Sequence, residues 1–223
     1  MAEWVGKEPT IESPYYPFRK VVEANTLSGV EQLPYIITRY LMDLPSRGYT
    51  PPTDNKYPRV RFKKMLYWDM PRPLEQPCPT TEQIKSIQFD PANPADPPDE
   101  ARGYRIYSQE LVQQAQASAQ TVVRIYLGDT TRMQTANEFV FRQAIIITVM
   151  VTASLEMNCG MPYGRANTLV QAIIEACEGV NFGGVGAFTL NRIAKFDDER
   201  TNTGYKIYAY IDWNGNSPNP YFE

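Results

Sequence analysis

The sequence predicts an α/β (α+β) chain: a mixed, largely antiparallel sheet flanked by helices, interrupted by a proline-rich insertion and ending in a β-hairpin. Three stretches carry this reading. Phe139 to Val151 is rich in β-branched and aromatic residues and nearly free of charge, which suits a central strand covered on both faces. Pro162 to Cys177 spaces Ala166, Leu169, Val170, Ile173, Ile174 and Cys177 in steps of three and four, marking one buried helical face. Tyr205 to Trp213 alternates cleanly: Tyr205, Ile207, Ala209, Ile211 and Trp213 on one side, Lys206, Tyr208, Tyr210 and Asp212 on the other.

The remaining segments take their places around these three. Residues 1 to 27 hold Pro9, Pro14, Pro17 and the cluster Tyr15-Tyr16-Pro17-Phe18 without any period. They read as an N-terminal arm, laid over a neighbour or strapped over its own domain, because the aromatics need cover. A single domain then spans 28 to 213. Ser28-Gly29-Val30-Glu31 matches a capping box, but Pro34 would lie too deep in a helix begun there; the favoured reading is a helix with Pro34 in its first turn, running through Ile36, Ile37, Tyr40 and Leu41 to about Leu44, where Pro45 stops it. Arg59 to Trp68 reads as a strand with Arg59, Arg61 and Lys63 on one face.

Asp69 to Glu100 differs in kind. It holds eight of the nineteen prolines, among them Pro71, Pro73, Pro77, Pro91 and Pro94, with room for one short element between Thr80 and Phe89. The expectation is a stiff, extended insertion projecting from the domain. Tyr104 to Tyr107 suggests a short strand, Ser108 to Gln120 a thinly amphipathic helix, and Thr121 to Leu127 a strand ended by Gly128-Asp129. A polar connection from Thr130 to Glu138 leads into the central strand. Phe188 to Phe196 pairs with the alternating strand as a hairpin. Its exposed acidic tip is Asp197-Asp198-Glu199-Arg200, closing at Gly204. Residues 214 to 223 form a tail.

Composition narrows the function classes. Hydrophobic residues make up 43% of the 223, enough for a real core. No run of about 18 apolar residues is present, which argues against a membrane helix. No signal pattern opens the chain, so synthesis is expected in a cytoplasm. Three cysteines, Cys78, Cys159 and Cys177, lack metal-like spacing and read as reduced, mostly buried thiols. A formal charge of −3 argues against generic nucleic-acid binding by charge alone.

The chain contains no histidine. That removes Ser-His-Asp and Cys-His nucleophile systems, histidine general bases and histidine-ligated metals. There is no phosphate loop and no nucleophile elbow. Gly183-Gly184-Val185-Gly186 lacks the third spaced glycine of a dinucleotide fingerprint and precedes a strand, so it reads as a connector. Asp197-Asp198-Glu199 is the one candidate for a hard cation, and solvation of a hairpin tip explains it more simply. The sequence assigns no catalytic residue, no cofactor and no metal ligand. The basic residues between Arg59 and Lys64, interleaved with Phe62 and followed by Tyr67 and Trp68, are the one candidate strip for a nucleic-acid-binding module.

The order helix, strand, strand, helix, hairpin resembles the tail terminator (tail-completion) proteins of tailed bacteriophages. The likeness is carried by Ile36 to Leu44, Thr121 to Leu127, Phe139 to Val151, Pro162 to Cys177 and the hairpin Phe188 to Trp213. The proline-rich insertion and long arm depart from the compact family pattern. The resemblance implies a non-enzymatic virion protein, assembled in the host cytoplasm into a six-membered ring that caps the tail tube, ends its polymerisation and joins it to the head connector. DNA would pass through its lumen as cargo, and no membrane is involved. Head-completion and tail tube proteins are the neighbouring alternatives. Three contact regions are expected: the arm at Tyr15, Tyr16 and Phe18, the loop holding Pro71, Pro73, Pro77, Pro91 and Pro94, and the tip at Asp197, Asp198, Glu199 and Arg200.

Overall fold

The computed structural model describes residues 30–89, 104–108, 121–134, 139–182, 187–198 and 202–214. Its framework is a five-stranded sheet in the order β1-β2-β3-β5-β4, with helices packed on one side. The strands are β1 (Ile106–Tyr107), β2 (Thr121–Gln134), β3 (Phe139–Thr152), β4 (Thr189–Asp198) and β5 (Asn202–Asn214). All pairings are antiparallel except β1 with β2. The α+β class expected from the sequence is the observed one.

Helix α1 (Leu33–Met42) carries Pro34 in its first turn, where a missing N–H costs no hydrogen bond. It ends on Asp43, whose left-handed backbone (φ 49°) returns its N–H to the Arg39 carbonyl. Leu33, Ile36, Ile37, Tyr40 and Leu41 form its buried face, which lies on β2. Helix α5 (Arg165–Cys177) buries Ala166, Leu169, Val170, Ile173 and Cys177 and lies across β3 and β5, while Ile174 is half-buried. The short helix α4 (Ala153–Met157) joins β3 to this layer, and its Glu156 carboxylate accepts the Ala166 N–H at 2.8 Å, capping α5.

Several expectations need correction. Arg59 to Trp68 is not a strand; helix α2 spans Pro58–Tyr67 and packs on α5 and α1. Pro58 opens it at the favoured first position, and Val60, Phe62, Met65 and Leu66 turn inward. A period-two reading of Arg-Val-Arg-Phe-Lys hid the inward face because Lys63 and Lys64 are buried with it.

The insertion does not project over its described part. Pro73 is buried in a 3-10 turn (Pro73–Glu75), and helix α3 (Thr81–Ser86) follows with a full capping box between Thr80 and Gln83. Ile84, Ile87 and Phe89 are buried. Pro91 and Pro94 lie outside the described residues.

β2 does not stop at Gly128-Asp129. Those residues form a bulge and the strand continues to Gln134, paired with β3 back to Phe139. β3 is central, but among the described residues helices cover only one of its faces. Ile145, Ile147, Val149 and Val151 are buried in the core, whereas on the other face Ala144, Ile146 and Met150 are half-buried and only Thr148 is buried. The hairpin is observed, but Asp197 and Asp198 belong to β4, paired with Thr203 and Asn202, rather than to its tip.

Candidate functional site

The most distinctive surface is the sheet face opposite the helices. Alternation assigns its residues: Tyr126 on β2, Arg142, Ala144, Ile146 and Thr148 on β3, Lys206, Tyr208, Tyr210 and Asp212 on β5, Arg192 and Ala194 on β4. The register places Tyr126, Ile146, Tyr208 and Arg192 in one row across four strands. Cations and rings pair along it. The Arg192 guanidinium lies 4.3 Å from the centre of the Tyr208 ring, and that of Arg142 lies 3.8 Å from the Tyr210 ring. Arg142 also donates two bonds to Asp212, at 2.7 and 2.9 Å, and this carboxylate holds the guanidinium's pKa above its ordinary value. At one end Thr148 and Val122 are buried, where Phe89, Tyr104 and Tyr107 cluster with Val122 and Met150. The rest of the face is neither a dry core nor an ordinary solvated surface: it is aromatic, mixed in charge and half-exposed.

The sheet margins are a second feature. Among the described residues β4 pairs only with β5, and its Asn191, Arg192, Ile193 and Lys195 are exposed. Ile193, pointing to the helix side, is 44% exposed. On the other margin, β1 covers β2 only at Val123 and Arg124; beyond them β2 has an edge with no described partner. Asp129, Thr130 and Thr131 there are exposed. Long uncovered edges are the surfaces by which strands of another chain are recruited.

A cleft of about 260 Å³ lies between α1, α2 and α3, lined mainly by apolar atoms of Met42, Leu44, Pro51, Pro52 and Ile84, with Lys63 and Cys78 among its polar residues. Lys63 is committed to Asp43: its Nζ lies 3.4 Å from the Asp43 carbonyl oxygen and 3.7 Å from a carboxylate oxygen. Burial draws the Lys63 pKa down, against the pull of Asp43. Arg59 and Tyr49 bind the other carboxylate oxygen, each at 2.7 Å. This set anchors the end of α1 to α2. No group of His, Cys, Asp and Glu suited to a metal occurs among the described residues.

The site residues expected from sequence fall as follows. Tyr15, Tyr16, Phe18, Pro91, Pro94, Glu199 and Arg200 lie outside the described residues. Pro71 and Pro77 are exposed, the latter accepting a 2.9 Å bond from the Trp68 indole, while buried Pro73 offers nothing to a partner. The basic strip at Arg59 to Lys64 is corrected: Lys63 and Lys64 are buried, Arg59 binds Asp43 and Arg61 binds Glu175. It presents no charged strip to a nucleic acid. Sequence reasoning missed the half-exposed face, although its signal was present in the polar half of the Tyr205 to Trp213 alternation.

The cysteines are free, with Cys159 and Cys177 buried and Cys78 half-buried. No described helix is long and apolar enough to cross a membrane. No known protein family matches the chain, and no curated protein does.

Proposed function

We propose that this chain is a structural protein of a tailed-bacteriophage neck, a tail terminator. In this reading it assembles as a homohexameric ring, caps the tail tube, ends its polymerisation and offers the other side to the head connector. DNA passes through the lumen without being held, and the particle is its final location.

The observation that carries this reading is the one-sided sheet. Helices bury one face, while the other stays half-exposed beyond its Val122 and Thr148 end, and among the described residues β4 and the outer half of β2 have no further strand beside them. A lone enzyme domain gains nothing from such a surface, whereas an assembling subunit needs one. The order of helices and strands that underlies the family resemblance supports the same reading.

Light scattering after size exclusion, from dilute to concentrated samples, tests it. A species that stops at one ring of about six chains is expected. Open-ended growth into long tubes would replace the terminator with a tube protein. A chain that stays monomeric alone and does not load onto purified tail tubes would remove the reading.

A further inference from the structure

We infer that copies of this chain join through the two sheet margins that carry no further strand among the described residues: β4 of one copy pairs with the outer half of β2 in the next, and the sheets close into one barrel with the face opposite the helices inside. This rests on the ring reading and specifies its contact.

Length and sense agree first. The stretch of β2 without a described outer partner, Ile125 to Gln134, is as long as β4. β2 and β5 both run antiparallel to β3, and β4 runs antiparallel to β5, so β4 is antiparallel to β2. Copies related by rotation about an axis along the strands therefore present these edges as an antiparallel pair. The contact is heterologous, and repeating it closes a ring.

The stagger agrees next. Through β5, Thr189 is level with Ala144 and Asp198 with Thr152, so β4 stands beside Ala144 to Thr152 of β3. The outer half of β2 stands beside Phe139 to Ile147. The two margins are thus displaced along the strands by about five residues across four strands. Strands tilted by about 35–45°, spaced about 4.8 Å with a rise of about 3.3 Å, need a stagger of about one to one and a half residues each, or about four to six per copy. Side-chain alternation admits four or six.

The direction is also right. The β3-to-β4 connection passes through the helix layer, and the right-handed rule for such crossovers puts β4 to the right of β3 when helices face the viewer and both strands point up. In that view the right margin is the raised one, as a barrel of right-twisted strands with its helices outside requires. β1 sits on β2 only at Val123 and Arg124, clear of the stretch the neighbour would occupy at a stagger of six, and meeting it only at Arg124, opposite Asp198, at a stagger of four. The barrel would then be lined by the Tyr126, Arg142, Arg192, Lys206, Tyr208 and Tyr210 face.

Paired cysteines in a Cys78→Ser background test this. Thr131→Cys is combined with Arg192→Cys for a stagger of four, or with Ala194→Cys for six. Within one copy β2 and β4 are three strand spacings apart, about 14 Å, beyond the roughly 7 Å that a disulfide spans. Any bond between these positions therefore joins two copies. Mild oxidation of the assembled protein is expected to give a covalent ladder ending at ring size for one pair, with none from the single-cysteine variants. Ile193→Lys, at an exposed position, is expected to keep the circular dichroism of the parent and shift rings to smaller species. Rings that form but give no ladder with either pair overturn the edge pairing and leave the ring reading standing. Rings unchanged by Ile193→Lys count against it in the same way. A wild-type chain that is monomeric at every concentration, alone and with tail tubes, and gives no ladder overturns both.

Discussion

Arg105 and Arg165 divide between them the backbone carbonyls at the C-terminal end of α2. Arg165 donates to Met65 and Trp68, and Arg105 donates to Leu66 at 2.9 Å and Tyr67 at 2.7 Å. Asp69 lies between the two guanidinium groups, 2.7 Å from Arg105 and 3.4 Å from Arg165. Burial pushes the Asp69 pKa up from its ordinary value, and the two arginines pull it back. The helix end is thus capped by side chains from distant points of the chain, which ties α2 to α5 and to the segment before β1.

Arg165 is fully buried, so its replacement exposes the arrangement directly. Arg165→Met leaves two carbonyls and part of Asp69 without a donor inside the protein. A loss of about 3–5 kcal/mol is expected, the usual cost of breaking a buried charged set from one side. Arg165→Lys should recover only part of it, because an ammonium cannot reproduce the planar fork. Urea unfolding measures both, and an unchanged midpoint for Arg165→Met would remove this role.

Asp43 combines a left-handed backbone with two cationic partners. Asp43→Asn keeps the shape and tolerates that backbone, yet strands Arg59 and Lys63. It is expected to cost about 3 kcal/mol or more. Lys63→Met should be far milder, since burial already disfavours the lysine charge and Arg59 still answers Asp43. Thermal melts of the two variants, compared at one pH, check the ordering.

Alkaline pH should destabilise the fold through two tyrosines. Burial, helped by a hydrogen bond to Asp43, raises Tyr49 to about 12, and burial raises Tyr107 to about 12. Both folded pKa values exceed the ordinary value of 10.0, so their contribution is whole below pH 10 and lost as pH climbs towards 12. Stability measured from pH 9 to 12 should fall less steeply in Tyr107→Phe than in the parent. Parallel slopes would show that Tyr107 ionises without resistance.

Gly204 on β5 pairs with Met150 of β3 at a point with no room for a side chain. A Cβ there would stand 2.1 Å from the Val149 carbonyl oxygen and 2.8 Å from the Phe196 ring. Gly204→Ala must push two paired strands apart, and a loss of about 1–3 kcal/mol is expected. Equal denaturation midpoints for variant and parent would mean that the strands part freely.

The sequence alone determined the elements whose patterns are local. Pro34 and the Ile36, Ile37, Tyr40, Leu41 spacing specify α1, the three-and-four spacing of Ala166 to Cys177 specifies α5, and strict alternation specifies β5. Each pattern repeats within a few residues, so a single chain displays it. Only the tertiary structure decided what depends on distant partners. Lys63 and Lys64 lie buried because Asp43 and the Leu74 carbonyl meet them, and this made a helix read as a charged strand. β2 runs past Gly128 because β3 continues beside it. β3 shows the same limit from the other side: its apolar run is equally consistent with cover on one face or two, and only the tertiary structure places α1 and α5 on a single side, with no described helix over the half-exposed Tyr126, Tyr208 and Tyr210 face. A strand's composition reports how apolar its faces are, whereas what lies against each face is set by where the rest of the chain is packed.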